Sequence, residues 1–241
     1  MKFRTLPTGI SPATANKIVQ VLNVWETGSK EGNYGAYVTY ADFTYKGNNY
    51  RQITYGKSQT TEFGNLKKLL QMYVDNEGIY KDDLSPYISK IGVIENGNPK
   101  SLWQDKNLKK ILVDAGNNDE IMKVTQDVFF DNYYFQPAVA WFIHYGFTKP
   151  LSLLVIYDSF IHSGQIFPFL RQKFSAYPPS MEGGSEVDWI TQYTQTRHDW
   201  LKNHSKDVVQ KSKYRTQKLL ELIQDNNWNL DKPFKTQGVQ F

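Results

Sequence analysis

Few positions in this chain combine an acid–base side chain with an unusual local setting, and Glu26 is the clearest of them. It follows a run that reads as an amphipathic helix: Ser11-Pro12 start it, and Ile18, Val19, Leu22 and Trp25 recur at helical spacing. The chain then enters TGSKEGNYG, a loop rich in Gly, Ser and Asn. The carbonyl end of a helix dipole is negative, so last turns favour Lys or Arg over Glu. A carboxyl desolvated against an aromatic face holds its proton to higher pH, as a general acid must, and Trp25 is its sequence neighbour. Glycoside hydrolysis needs such an acid and a second group on the opposite face of the sugar. The next β-prone stretch offers Asp42 as its one acid and hydroxyls on Tyr34, Tyr37, Thr54 and Ser58, with Gln59 beside them. A Glu at a helix end is ordinarily just solvated. Placement alone therefore does not decide.

The elements that would position these groups follow from periodicity. AYVTYADFTY and YRQITYG flank a Gly-Asn turn and predict a hairpin over 36–56. Leu66, Leu69, Leu70 and Tyr73 then mark a second helix. Further helices are expected near 83–93, 105–115, 119–131, 134–146, 150–163, 185–202 and 205–226, with loops at 95–99 and 175–184. DKPFKTQGVQF reads as a loosely docked tail. One hairpin among many helices predicts an α+β, mostly α-helical fold.

Bulk properties narrow the function. A chain of 241 residues can bury a sizeable core, and 22% charged residues is ordinary for a globular protein. The +4 formal charge is spread along the chain without a basic helix, which argues against nucleic acid as a partner. No cysteine is present, and none of the four histidines forms an i, i+4 pair, so neither a metal site nor a cofactor is expected. No apolar run reaches membrane-spanning or signal-peptide length, so membrane insertion is not expected. Work outside the cell would then require a processed mature form or a phage-type lysin released by lysis.

In order and content these features resemble the chitosanases of glycoside hydrolase family 46, within the lysozyme-like superfamily. The carriers are Glu26 at a helix end, the 36–56 hairpin, and ITYGKSQTTEFGNL leading into a helix. Further on, FDNYYFQPAVAWFIHYGFTKPLSLLVIYDSFIHSG matches the family's pattern at Tyr134, Pro137-Ala138, Tyr157-Asp158, His162 and Gly164. EGGSEVDWITQYTQTR matches at Gly183, Gly184, Glu186 and Arg197. The resemblance implies one two-lobed catalytic domain over 1–241, with a smaller hairpin lobe at about 27–75 beside a substrate cleft. It also implies that Glu26 is the proton donor and that Asp158, Arg197 and Glu186 form a supporting ion-pair network. A carboxylate on the apolar face of Leu151, Leu154, Val155 and Ile161 needs such a partner if buried.

One departure bears on mechanism. The family's general base is an Asp late in the hairpin, a few residues ahead of a Thr. Aligned on Thr54, that position falls on or near Asn49, which cannot take a proton. Two substitutes are open. Asp42 reaches the site from the first strand, or Tyr37, Thr54, Ser58 and Gln59 alone place the water. Glu62 stands where the family binds substrate with an acid, and its competing role is in the first turn of a helix. The expected function is endo-cleavage of β-1,4 linkages in chitosan or de-acetylated peptidoglycan by a monomer acting on the polymer in secreted form or at the cell wall. The alternatives are a lysozyme or endolysin acting on peptidoglycan, and an inactive carbohydrate-binding relative.

Overall fold

The computed structural model describes residues 3–57 and 59–241. Backbone contacts group them into two compact units. The larger holds Phe3–Trp25 and Asp131–Phe241, and the smaller holds Glu26–Phe130. The fold is α+β and mostly helical.

Helix α1 (Pro12–Thr27) begins as the sequence requires, with the Ser11 hydroxyl accepting the Thr14 N–H at 3.1 Å. Only its last two residues, Glu26 and Thr27, belong to the smaller unit. There, strands β1 (Tyr37–Tyr45) and β2 (Asn48–Tyr55) pair antiparallel, and β3 (Thr60–Thr61) adds to β2. The turn is Lys46-Gly47, with φ of 47° and 80°, the geometry that matches strand twist in a two-residue hairpin. Register runs from Tyr40 opposite Gln52 to Phe43 opposite Tyr50, so Ala41 and Asp42 together oppose Arg51 in a β-bulge.

An irregular turn (Glu62–Leu66) leads into α2 (Lys67–Asp75), followed by α3 (Lys81–Ile88). Strands β4 (Val93–Glu95) and β5 (Asn98–Lys100) form a second hairpin around Asn96-Gly97, before α4 (Lys106–Asn118) and α5 (Glu120–Phe130). The smaller unit therefore extends well beyond residue 75. The apolar face of α2 (Leu69, Leu70, Tyr73) is fully buried, and α3 and α5 pack against that helix. The helix expected over 83–93 also stops early: Gly92 turns the chain at φ 68° into β4.

The larger unit is organised on α7 (Pro150–Ser163), preceded by a turn at Asp131–Phe135 and α6 (Gln136–His144). Every residue of α7 from Leu151 to Ser159 is buried, as in a helix surrounded on all sides. Against it pack α9 (Glu186–Lys202) and α11 (Lys213–Gln224), while the short helices α8 (Pro168–Arg171) and α10 (Asp207–Gln210) pack on α9. The single helix expected over 205–226 is thus two, separated at Lys211-Ser212. Residues 231–241 are not a loose tail. They form strands β6 (Lys235–Thr236) and β7 (Val239–Gln240), and Phe234 stacks on Phe241 with ring centroids 5.4 Å apart.

Candidate active site

The last carbonyls of a helix lack intrahelical partners. At the end of α1, two of them are taken by side chains. The Tyr214 hydroxyl donates to the Trp25 carbonyl at 2.6 Å, and Gln59 Nε2 donates to the Glu26 carbonyl at 2.7 Å. These bonds fix the backbone from which the half-buried Glu26 side chain projects. The sequence suggested the Trp25 indole as a wall for that carboxyl, and the indole has other partners of its own. Neighbours on a helix leave it about 100° apart. Trp25 instead donates from Nε1 to Thr236 Oγ1 at 2.8 Å and carries the Arg215 guanidinium over its ring at 5.5 Å.

Gln59 is held by the turn before it. Gly56 has φ 86°, and a Cβ there would come within 2.5 Å of Gln126 Oε1. That close approach lets the Lys57 N–H reach Gln126 Oε1 at 3.0 Å, while Gln126 Nε2 donates to the Tyr34 carbonyl at 2.8 Å. The buried Lys57 ammonium pairs with Asp127, and the Tyr34 hydroxyl donates to the same carboxylate at 2.9 Å. Burial first, then the Asp127 charge, pushes the Tyr34 phenol well up from its ordinary range. Tyr34, expected at the water or substrate, is thus a brace between the loop after α1 and helix α5.

On the hairpin, Asp42 lies in the bulge and its Oδ1 accepts from Gln52 Nε2 at 2.8 Å. Gln52 is buried, with its Oε1 accepting the Phe63 N–H at 3.1 Å. The bulged carboxylate is therefore oriented by a side chain that is itself fixed at both ends. Thr54 is two residues along β2 and shares the Gln52 face. Its buried Oγ1 has no hydrogen-bond partner among the described residues. Asn49, at the family's acid position, accepts from the Thr44 hydroxyl at 2.9 Å. Ser58 lies outside the described residues.

Two other expected groups are enclosed. Glu62 is 1% exposed, and its carboxylate accepts from the Leu102 N–H at 2.7 Å, the Ile53 N–H at 3.2 Å and the Ser101 hydroxyl. It ties β2 to the segment before α4 instead of offering a charge to substrate, because a carboxylate that deep must be saturated by donors. Tyr37 is half-buried, and its phenol is pushed up to about 12 by burial, then by Glu62 and Asp105.

In the larger unit, Asp158 is fully buried between two guanidinium groups. Arg197 Nη1 contacts one carboxylate oxygen, and Arg215 Nε donates to the other at 2.8 Å. Burial alone would raise the Asp158 pKa, but Arg215 and then Arg197 overcome it and hold the group at about 2. His162 is kept neutral, at about 3, by burial and then by the same two arginines. Glu186 stands apart from this cluster. It accepts from the N–H groups of Thr148 and Lys149 at 3.0 and 2.7 Å, at the start of α7, about two helical turns before Asp158. It joins the starts of α7 and α9 and shields the exposed N–H groups of a helix end. Arg215 was missed in the sequence although a signal existed: it shares an i, i+4, i+7 stripe with the buried Leu219 and Leu222. Lys57 and Asp127 left no such trace.

A model of the family described as Glycosyl hydrolase family 46 matches residues 21–234. The chain belongs to glycosyl hydrolase family 46. It is 24% identical, over an alignment of 258 positions covering all of this chain and 88% of the relative, to a chitosanase of Bacillus subtilis (strain 168). Among solved structures it is similar to native chitosanase from Bacillus subtilis MY002, with a TM-score of 0.81 at 20% identity over 97% of this chain and 99% of that one. It is also similar to the family-46 chitosanase of Gynuella sunshinyii in complex with chitotetraose, with a TM-score of 0.76 at 21% identity over 98% of each chain. The match confirms the relationship that the Glu26, Tyr157-Asp158 and Glu186–Arg197 segments suggested. As a family member this chain is a glycosidase.

Proposed function

We propose that this family-46 glycosidase is an endo-acting chitosanase that cleaves β-1,4 linkages between glucosamine units. The family match over residues 21–234, with Glu26 inside it at the braced end of α1, carries this reading. Support for the substrate class comes from the chitosanase of Bacillus subtilis (strain 168) and from the Gynuella sunshinyii chitosanase bound to chitotetraose. A polymer of that kind does not cross a membrane, so the enzyme meets it outside the cell. In the proposed reaction Glu26 gives its proton to the bridging oxygen as the bond to the anomeric carbon breaks. Water attacks that carbon from the opposite face. Asp42, the acid held by Gln52, accepts the proton the water loses, and the anomeric configuration inverts.

Reducing ends released from chitosan test the assignment. Glu26→Gln lowers kcat by roughly 10²- to 10⁴-fold while the fold is retained. Wild-type turnover by that variant ends the proposal. Asp42→Asn lowers kcat by a comparable factor if Asp42 is the base. Retention of most activity would instead assign the water to the hydroxyl and amide groups of Tyr37, Thr54, Ser58 and Gln59.

A further inference from the structure

The bulge that carries Asp42 is tied twice to one residue of the following turn, Phe63. The first tie runs through side chains. The Phe63 N–H donates to Gln52 Oε1 at 3.1 Å, and Gln52 Nε2 donates to Asp42 Oδ1 at 2.8 Å. The second runs through the neighbour of Asp42 in the chain. The Phe43 ring stacks on the Phe63 ring, with centroids 4.2 Å apart and planes at 10°. Asp42, Gln52, Phe63 and Phe43 therefore close a loop. An extra residue in a bulge is unpaired in the ladder, so a base placed there needs such support from elsewhere.

The turn is itself held by β2. Glu62 Oε2 accepts the Ile53 N–H at 3.2 Å, while Gln52 accepts from Phe63, so two adjacent residues on each side grip one another's backbone. Glu62 Oε1 extends the hold to the Leu102 N–H at 2.7 Å. The clamp also sets the polarity of the amide. A backbone N–H only donates, so the Gln52 atom that meets Phe63 is the oxygen, and the end facing Asp42 is a donor. Gln52 is 5% exposed, and turning its amide over would lose both bonds.

We propose that Gln52 is a positioning residue for the base, with Phe63 and Glu62 as its frame, and that Asp42 Oδ2 is the oxygen that takes the proton. The inference rests on the reading of Asp42 as base. Oδ1 is taken by Gln52, whereas Oδ2 has no hydrogen bond among the described residues. As the water oxygen bonds to the anomeric carbon, its O–H bond breaks and the proton passes to Oδ2. Asp42 is then neutral and returns the proton to solvent before the next cycle. A shift of about 1 Å in a reacting group can cost about 10²-fold in rate, which is what the clamp prevents.

Values of kcat and KM on a glucosamine hexamer near neutral pH supply the test. Gln52→Met fills the space without either bond and lowers kcat roughly ten- to hundredfold, with KM within about twofold of the parent. Gln52→Glu keeps the acceptor for Phe63, sets a second carboxylate against Asp42 and lowers kcat at least as far. Circular dichroism and thermal melting check that each variant is folded. In the Asp42→Asn background Gln52→Met causes no further loss, because no base is left to aim. Parental kcat in Gln52→Glu would show that Gln52 only supports the turn, and overturns the proposal. So does an equal loss from Gln52→Met with and without Asp42. Failure of the base assignment appears separately, as near-parental turnover in Asp42→Asn.

Discussion

Two adjacent residues at the end of α1, Trp25 and Glu26, are held by buried ionic clusters of different design. On the Trp25 side, a fully buried carboxylate, Asp158, is shared by two guanidinium groups, and one of them, Arg215, lies over the indole. On the Glu26 side, one ammonium, Lys57, meets one carboxylate, Asp127, which is 24% exposed. That pair steadies the turn whose Gln59 grips the Glu26 carbonyl. Planar guanidinium groups suit the first role because their donors stay in place when dehydrated, whereas an ammonium is a point charge that keeps more of its affinity for water. The first cluster therefore belongs to the stability of a core. The second belongs to the aim of a side chain.

Separate substitutions can break that contrast. The largest effect is expected from Asp158→Asn, which leaves two arginines buried without a full counter-charge and costs about 3–5 kcal/mol of stability in urea unfolding. A loss below about 1 kcal/mol would mean that water already neutralises the cluster. Lys57→Met is smaller, at about 1–3 kcal/mol, because Asp127 regains some solvent when its partner goes. Thermal melting of both variants in one buffer ranks them directly.

Acid sharpens the same comparison. The unfolded His162 takes up a proton as pH falls through about 6.5, whereas the folded one does so only near 3. Unfolding is therefore favoured progressively as pH drops across that window, and stability contributed by neutral His162 is complete only above it. Asp158 adds a second loss below pH 4, since its folded form stays charged down to about 2. His162→Asn flattens the upper part of a stability-against-pH curve and leaves the lower part. The smallest effect on stability belongs to Gln59→Ala, about 0.5–1.5 kcal/mol for one hydrogen bond. On the proposed role of Glu26 its signature is kinetic, with kcat reduced and KM held, because the Gln59 bond sets the direction of that side chain.

Legibility in the sequence followed the range of the interactions. Local signals placed the Ser11 cap, the 36–56 hairpin and the α7 span of 150–163. The β4–β5 hairpin was missed although Asn96-Gly97 is a strong turn signal, because its strands are three residues long and carry no alternation to read. At the site, the helix end drew attention to Glu26, and the family resemblance rather than its placement singled it out. What surrounds it was not. Lys57 meets Asp127 across 70 residues, and Trp25 meets Thr236 across 211, distances at which spacing carries no information. Glu62 misled because a carboxylate at a helix start looks the same in sequence whether it faces solvent or three donors.

The bond from Trp25 to Thr236 makes the end of α1 depend on a strand 211 residues further along. Without residue 236 in place the indole N–H has only water as a partner, and it cannot be buried without loss. A truncation that removes only strands β6 and β7 would therefore leave the end of α1 without the partner that anchors its indole in the larger unit.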